Sequence, residues 1–203
     1  MRKVKIFVLL SLLLVPVCVK AQANWDEYEI GKIFKLSVPS TLMLRDPSSI
    51  IGKMTDDAKK KIALEYGIQS PDWTYTFIPN DRIGSSKYAR VIVSVSRQNN
   101  TTQKMVKEAS QAELQELRQA KIDEAKQYGQ NIKNTTCKKE VYDGRYAIVI
   151  RYDRPGLSGD VHVDDYYFFL LNKKIEVTIS YRISEAYLWK NDFNIIPSTF
   201  SFE

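Results

Sequence analysis

The single histidine of the chain, His162, stands in the run Asp160-Val161-His162-Val163-Asp164-Asp165. An imidazole among carboxylates is raw material for a metal site or for proton transfer. In an extended strand Asp160, His162 and Asp164 project from one side, about 6 to 7 Å from one to the next. That spacing is too wide for one strand to chelate an ion, so carboxylates from elsewhere, such as Asp153, must converge before the run becomes a metal site. The plainer reading, a polar outer face where a loop enters a strand, is adopted.

Other chemistries leave less trace. A Ser-His-Asp triad must draw on the same His162, yet no serine lies in a Gly-x-Ser-x-Gly elbow. The Gly-x-x-x-x-Gly-Lys phosphate loop and the Gly-x-Gly-x-x-Gly dinucleotide fingerprint are both missing from the sequence. Acid pairs for glycoside hydrolysis are set by the fold, and nothing in the chain nominates one. Cys137, flanked by Lys138 and Lys139, reads as a small residue in a strand better than as an activated nucleophile. No catalytic, cofactor-binding or metal-binding set is nominated, and the expectation is a protein that is not an enzyme and takes no cofactor.

The beginning of the chain has a different character from the rest. Arg2, Lys3 and Lys5 precede an apolar run from Ile6 to Val19 that only Ser11 interrupts. A bilayer span needs about 20 apolar residues, whereas the core of a secretory signal needs about 7 to 15. With small residues at Ala21 and Ala23, residues 1–23 read as a cleaved signal peptide and 24–203 as the exported protein, periplasmic or extracellular, with no integral span after cleavage. Cys18 lacks the small residue that a lipoprotein signal places just before its cysteine, and it leaves with the signal. Cys137 is then the sole thiol, so no internal disulfide is expected.

Thirty Lys and Arg face 24 Asp and Glu in the 203 residues. Four of the basic residues, Arg2, Lys3, Lys5 and Lys20, belong to the leader, so 26 oppose 24 in the remainder and nucleic acid is not an expected partner. The apolar share of 44% is that of a folding chain. No linker or repeat divides it, and 24–203 reads as one domain.

Alternation marks the strands. Phe34, Leu36 and Val38 share a face and stop at Pro39; Trp73 to Ile78 and Ala89 to Ser96 form two more strands across a turn-rich loop. Thr55 caps a short helix that Gly67 ends, with Ala58, Ile62 and Tyr66 as its apolar face. From Thr102 to Tyr128 the chain lacks Gly and Pro and predicts one long helix whose stripe is Val106, Leu117 and Tyr128, with Leu114 and Ala125 beside it. Gly129 ends it. Asp143-Gly144 predicts a type I′ hairpin, after which strands run through Tyr152, Val163 to Leu171 and Ile175 to Arg182. Tyr166-Tyr167-Phe168-Phe169 places aromatics on both faces of one strand, one face under the long helix and the other under a second helical layer. Ser184 is placed as the cap of a last helix carrying Trp189 and Phe193. The order predicts an α+β fold: an antiparallel sheet with a C-terminal meander, covered by helices.

Four segments in this order, Phe34-Lys35-Leu36-Ser37-Val38-Pro39, Ala89-Arg90-Val91-Ile92-Val93-Ser94-Val95, Gly144-Arg145-Tyr146-Ala147 and Ile195-Ile196-Pro197-Ser198-Thr199-Phe200, resemble the PsbP-like family. Its fold also covers DcrB-type bacterial envelope proteins and a Ran-binding nuclear-transport factor. The resemblance implies an α/β/α sandwich and a non-enzymatic module that binds or helps assemble other macromolecules, here in a bacterial envelope. It brings no catalytic motif, and Ran binding does not carry over to an exported chain. The alternative is a module for a small apolar ligand held in an aromatic cleft between sheet and helix.

Overall fold

Asp143 and Gly144 take φ of +46° and +71°, the left-handed pair that a type I′ turn requires. This two-residue turn joins β6 (Lys133–Tyr142) to β7 (Arg145–Arg154) and sets their register with Tyr142 opposite Arg145. The computed structural model describes residues 24–45, 73–80, 83, 86–97 and 100–203. The expected signal peptide and the helix from Thr55 to Gly67 lie outside the described residues.

Seven strands form the main sheet in the order β3-β4-β5-β9-β8-β7-β6, every neighbouring pair antiparallel. They are β3 (Leu42–Leu44), β4 (Trp73–Pro79), β5 (Ala89–Arg97), β6, β7, β8 (Val161–Leu170) and β9 (Lys173–Arg182). A second sheet, in the order β1-β2-β10, comprises β1 (Trp25–Ile30), β2 (Phe34–Pro39) and β10 (Ser201–Phe202). The helices are α1 (Gln103–Glu108), α2 (Gln111–Gln127) and α3 (Ala186–Ile195).

Because side chains alternate, β7 and β8 each feed two cores. On one face Ala147, Val149, Tyr166, Phe168, Ile175, Val177 and Ile179 pack with Phe34, Leu36 and Val38 of β2 and with Trp189 and Phe193 of α3. Phe34 is fully buried, its ring 5.3 Å from Phe200 and 6.2 Å from Phe168. Burial of a side chain of this size contributes about 1.5 to 3 kcal/mol. On the other face Cys137, Ile148, Ile150, Tyr152 and Val163 pack under Val106 and Leu114 of α1 and α2, with Tyr167 and Phe169 at the margin. The aromatics of β8 divide between the faces as expected. The layer opposite the long helix is mixed, however: a small sheet together with α3.

The expected single helix from Thr102 to Tyr128 is two. It breaks at Ala109-Ser110, where Ser110 Oγ accepts from Glu113 N and Glu113 Oε2 accepts from Ser110 N at 2.7 Å. This reciprocal capping box starts a new helix, and the break resets the register of the stripe. Leu117 and Tyr128 are therefore exposed, while Leu114 is buried and Arg118, Lys121, Ile122 and Ala125 are half-buried. Gly129 does end α2: at φ +69° it donates to Lys126 O, and Gln130 N donates to Ala125 O, the bonding of a Schellman motif.

A buried carboxylate anchors α2 to the sheet. Asp165, 2% exposed, accepts from Thr178 Oγ1 at 2.7 Å and lies 3.4 Å from Lys121 Nζ. Burial lowers the Lys121 pKa, but Asp165 and Glu124 more than offset this, so the net shift is upward. At α3 Ser184 is not the cap. Glu185 precedes the helix, its buried carboxylate accepting from Tyr88 N at 2.8 Å and from Arg182 Nη1.

Two substitutions test this account. Ser110→Ala is expected to cost about 1 kcal/mol in urea denaturation; a neutral or stabilising result would indicate a continuous helix, because alanine is the better helix former. Lys121→Met leaves Asp165 buried without its ammonium and is expected to cost about 3 kcal/mol. A loss under about 0.5 kcal/mol would place the pair with ordinary surface ion pairs.

Candidate functional site

Toward the Asp143-Gly144 turn, the core-facing residues of β7 and β8 are apolar: Ala147 and Val149 opposite Phe168 and Tyr166. Two residues further along each strand the same face becomes ionic. Arg151 stands opposite Asp164, and Asp153 opposite His162. Directly opposed residues have Cβ atoms about 5 Å apart, so the register alone brings these four side chains into contact.

They form one chain of bonds. Asn134 Nδ2 donates to Asp153 Oδ2 at 2.7 Å, and His162 Nδ1 lies 2.7 Å from Asp153 Oδ1. His162 Nε2 is 3.2 Å from Asp164 Oδ1, which is 3.4 Å from Arg151 Nε. Arg151 then grips Glu140 with both terminal guanidinium nitrogens, Nη1 and Nη2, at 2.6 and 3.1 Å, and Tyr142 Oη donates to Glu140 at 2.5 Å. Asp164 Oδ1 is buried and lies near two cationic groups without hydrogen-bond alignment to either.

The charges follow from these contacts. Hydrogen bonding to Arg151 holds the Glu140 carboxyl below its ordinary pKa, and the same bond raises that of Arg151. Burial pushes the Tyr142 phenol up, aided by its bond to Glu140. The Asp164 carboxylate beside it raises the pKa of His162; burial opposes this and Asp153 reinforces it. With a carboxylate at each ring nitrogen, only the imidazolium satisfies both contacts, since the neutral ring carries one N–H.

Beside this chain lies a recess of about 550 Å³ whose lining includes Tyr142, Tyr166, Phe200, Arg151, Asp164 and Asn194. Sheet residues meet the end of α3 and the 3₁₀ turn Ile196–Thr199 here. Thr199 Oγ1 accepts from Ser37 N at 2.9 Å, and Asp143 Oδ2 accepts from Phe202 N at 3.0 Å. These bonds tie the C-terminal segment to both sheets.

Of the residues the sequence singles out, His162, Asp164 and Asp153 come together. Asp160 does not: it precedes β8, is exposed, and its carbonyl accepts from Ile183 N. The convergence of Asp153 that a metal site requires does occur, but both imidazole nitrogens face carboxylates, whereas a ligating imidazole turns one nitrogen to the ion. Among the described residues no group of three or more His, Cys, Asp or Glu is placed to hold a metal. Glu140, Arg151 and Tyr142 were not singled out. Parity on the β6–β7 hairpin puts Glu140 and Arg151 on the same face, which was the available signal. Cys137 is buried in β6, and burial raises its thiol pKa.

No protein-family model matches the sequence, and no curated protein matches it. Solved structures do match. The solution structure of cyanobacterial PsbP (CyanoP) from Synechocystis sp. PCC 6803 aligns over 89% of this chain and 94% of its own, with a TM-score of 0.55 and 12% identity. The crystal structure of LpqN, involved in cell envelope biogenesis of Mycobacterium tuberculosis, aligns over 90% of this chain and 93% of its own, with a TM-score of 0.51 and 8% identity. This is the PsbP-like fold. Within it, the recess and the ionic chain lie on the sheet face that the small sheet and α3 cover.

The raised His162 pKa has a pH signature. Folding favours the imidazolium, so its contribution is fully present below the free-imidazole value of about 6.5 and is lost as pH rises through the folded value. The stability advantage of the native protein over His162→Gln is therefore expected to be larger at pH 6 than at pH 8.5. The His162 ring protons are expected to titrate by NMR with a midpoint above 6.5; a midpoint at or below that value would overturn the assignment.

Proposed function

We propose that this protein is an exported component of a bacterial envelope, cleaved after residue 23, that works as a non-enzymatic binding or assembly module for another macromolecule. The observation that carries this reading is the recess. Tyr142, Tyr166, Arg151 and Asn194 line it, and Tyr and Arg are the residues in which binding hot spots are enriched. Its charged groups are already paired with one another, as befits a surface whose purpose is shape and polarity. A general acid or base, by contrast, must be free to exchange its proton with a substrate.

Export is supported by the basic start, the 14-residue apolar run and the small residues at Ala21 and Ala23. No helix among the described residues is long and apolar enough to cross a membrane. The matched LpqN structure belongs to a protein involved in cell envelope biogenesis, which agrees with a role in an envelope. The small apolar ligand reading is weaker, because an ionised Arg151 and Asp164 in the wall would be left desolvated against an apolar guest.

In-cell crosslinking followed by mass spectrometry tests the proposal. The expected outcome is adducts with a second protein whose crosslinked sites include residues around the recess, such as Ser198, and whose yield falls when Tyr142→Ala and Asn194→Ala are combined. Recovery of the monomer alone, or native mass spectrometry showing a retained apolar small molecule, would overturn it.

A further inference from the structure

β6 is the last strand of the main sheet. It is ten residues long, and among the described residues nothing pairs with its outer side. Such an edge is a template for another strand. The hairpin turn decides which backbone groups are free. The pair flanking a two-residue turn, Tyr142 and Arg145, exchanges hydrogen bonds, and bonded and non-bonded pairs then alternate. Over the regular stretch Thr136 to Tyr142, the residues Tyr142, Glu140, Lys138 and Thr136 thus spend their N–H and C=O on β7, while Val141, Lys139 and Cys137 turn theirs outward. The Thr135 carbonyl, at the register shift between Lys133 and Thr136, accepts from Arg118 Nε of α2 at 2.6 Å.

Between this edge and the first half of α2 runs a groove of about 520 Å³, lined by Leu114, Gln115 and Arg118 from the helix and by Thr135, Cys137 and Lys138 from the strand. Thr135 is 6% exposed and its Oγ1 has no hydrogen-bond partner. A buried polar atom of this kind calls for an explanation, and here it lines a groove. Charge selects the occupant. Lys133 and Lys138 are exposed along the strand and Arg118 stands above it, whereas the strand's one carboxylate, Glu140, is held by Arg151. Pairing with a second copy of β6 would bring lysines together, which is unfavourable.

We propose that the β6 edge and the α2 groove take an extended, carboxylate-rich segment of a partner protein as an additional strand, by β-augmentation. This deepens the proposed binding function and rests on it. The segment's backbone pairs with the outward N–H and C=O groups of Cys137, Lys139 and Val141. Its acidic side chains meet Lys133, Lys138 and Arg118.

A photo-crosslinking residue is placed in the full chain at position 115 in the groove and, separately, at position 198 beside the recess, in cells of the native host. At position 115 the expected adduct is a partner peptide rich in Asp and Glu. Its yield is expected to fall by more than about tenfold with Lys133→Glu combined with Lys138→Glu, and likewise with Val141→Pro, each tenfold being about 1.4 kcal/mol. Val141→Pro removes an outward N–H and leaves the β7 ladder whole, as tolerated on an edge strand; circular dichroism verifies that both variants fold. A synthetic copy of the captured peptide is expected to slow amide exchange at Cys137, Lys139 and Val141. Adducts at 198 with none at 115 would overturn the edge site and keep the binding function. Adducts at neither position would overturn both. Adducts at 115 with a second copy of this chain, with a peptide lacking acidic residues, or in yields insensitive to the charge reversal, would overturn the acidic-strand assignment.

Discussion

Burial of the central strands on both faces is the constraint on which the rest of the structure depends. In β7 and β8 alternate residues enter different cores: in β7, Ile148 and Ile150 go under the helices, Ala147 and Val149 toward the small sheet. A slip of one residue in register would exchange the two sets and place side chains sized for one layer against the other. The Asp143-Gly144 turn, with both residues at positive φ, admits few registers, and so a two-residue feature governs which residues meet across a ten-residue hairpin.

The ionic chain is a product of the same register. Arg151, Asp153, His162 and Asp164 continue the very faces that carry Val149 and Tyr166. Where apolar residues give way along that face, polar groups must satisfy one another. On the opposite face Asp165 solves a similar problem with Lys121 and Thr178. One carboxylate of the Asp164-Asp165 pair therefore serves the recess, while its neighbour holds the helix that roofs the other side.

The sequence was most legible where local chemistry was sufficient. Asp143-Gly144, the strand from Ile175 to Arg182 and the end of α2 at Gly129 depend on neighbours within a few residues, and all three appear as read. The helix break was legible too: Ser110 and Glu113 form a recognisable Ser-x-x-Glu box, but the absence of Gly and Pro was given more weight. The pairing of Asp153 with His162 was not legible, because it needs the register across the loop from Pro155 to Asp160, and that loop's length does not set one. Arg118 and Lys121 were hidden for another reason. Their charge suggests solvent, and long cationic side chains ordinarily bury only their stems, whereas here the heads reach Thr135 O and Asp165.

Layering also limits where recognition can happen. A sheet covered on both faces offers a partner its edges and the gaps in its cover. Among the described residues the two edges differ. β3 has three residues, whereas β6 has ten with lysines along it. Lysines on an edge discourage pairing with like strands, and by the same Coulombic argument favour pairing with acidic ones. The recess, walled by aromatics and by Arg151 with Asp164, offers a site for a side chain, whereas the edge offers one for a backbone. Since Tyr142 lines the recess and belongs to β6, a segment laid along that strand would end beside the recess, and one partner could occupy both.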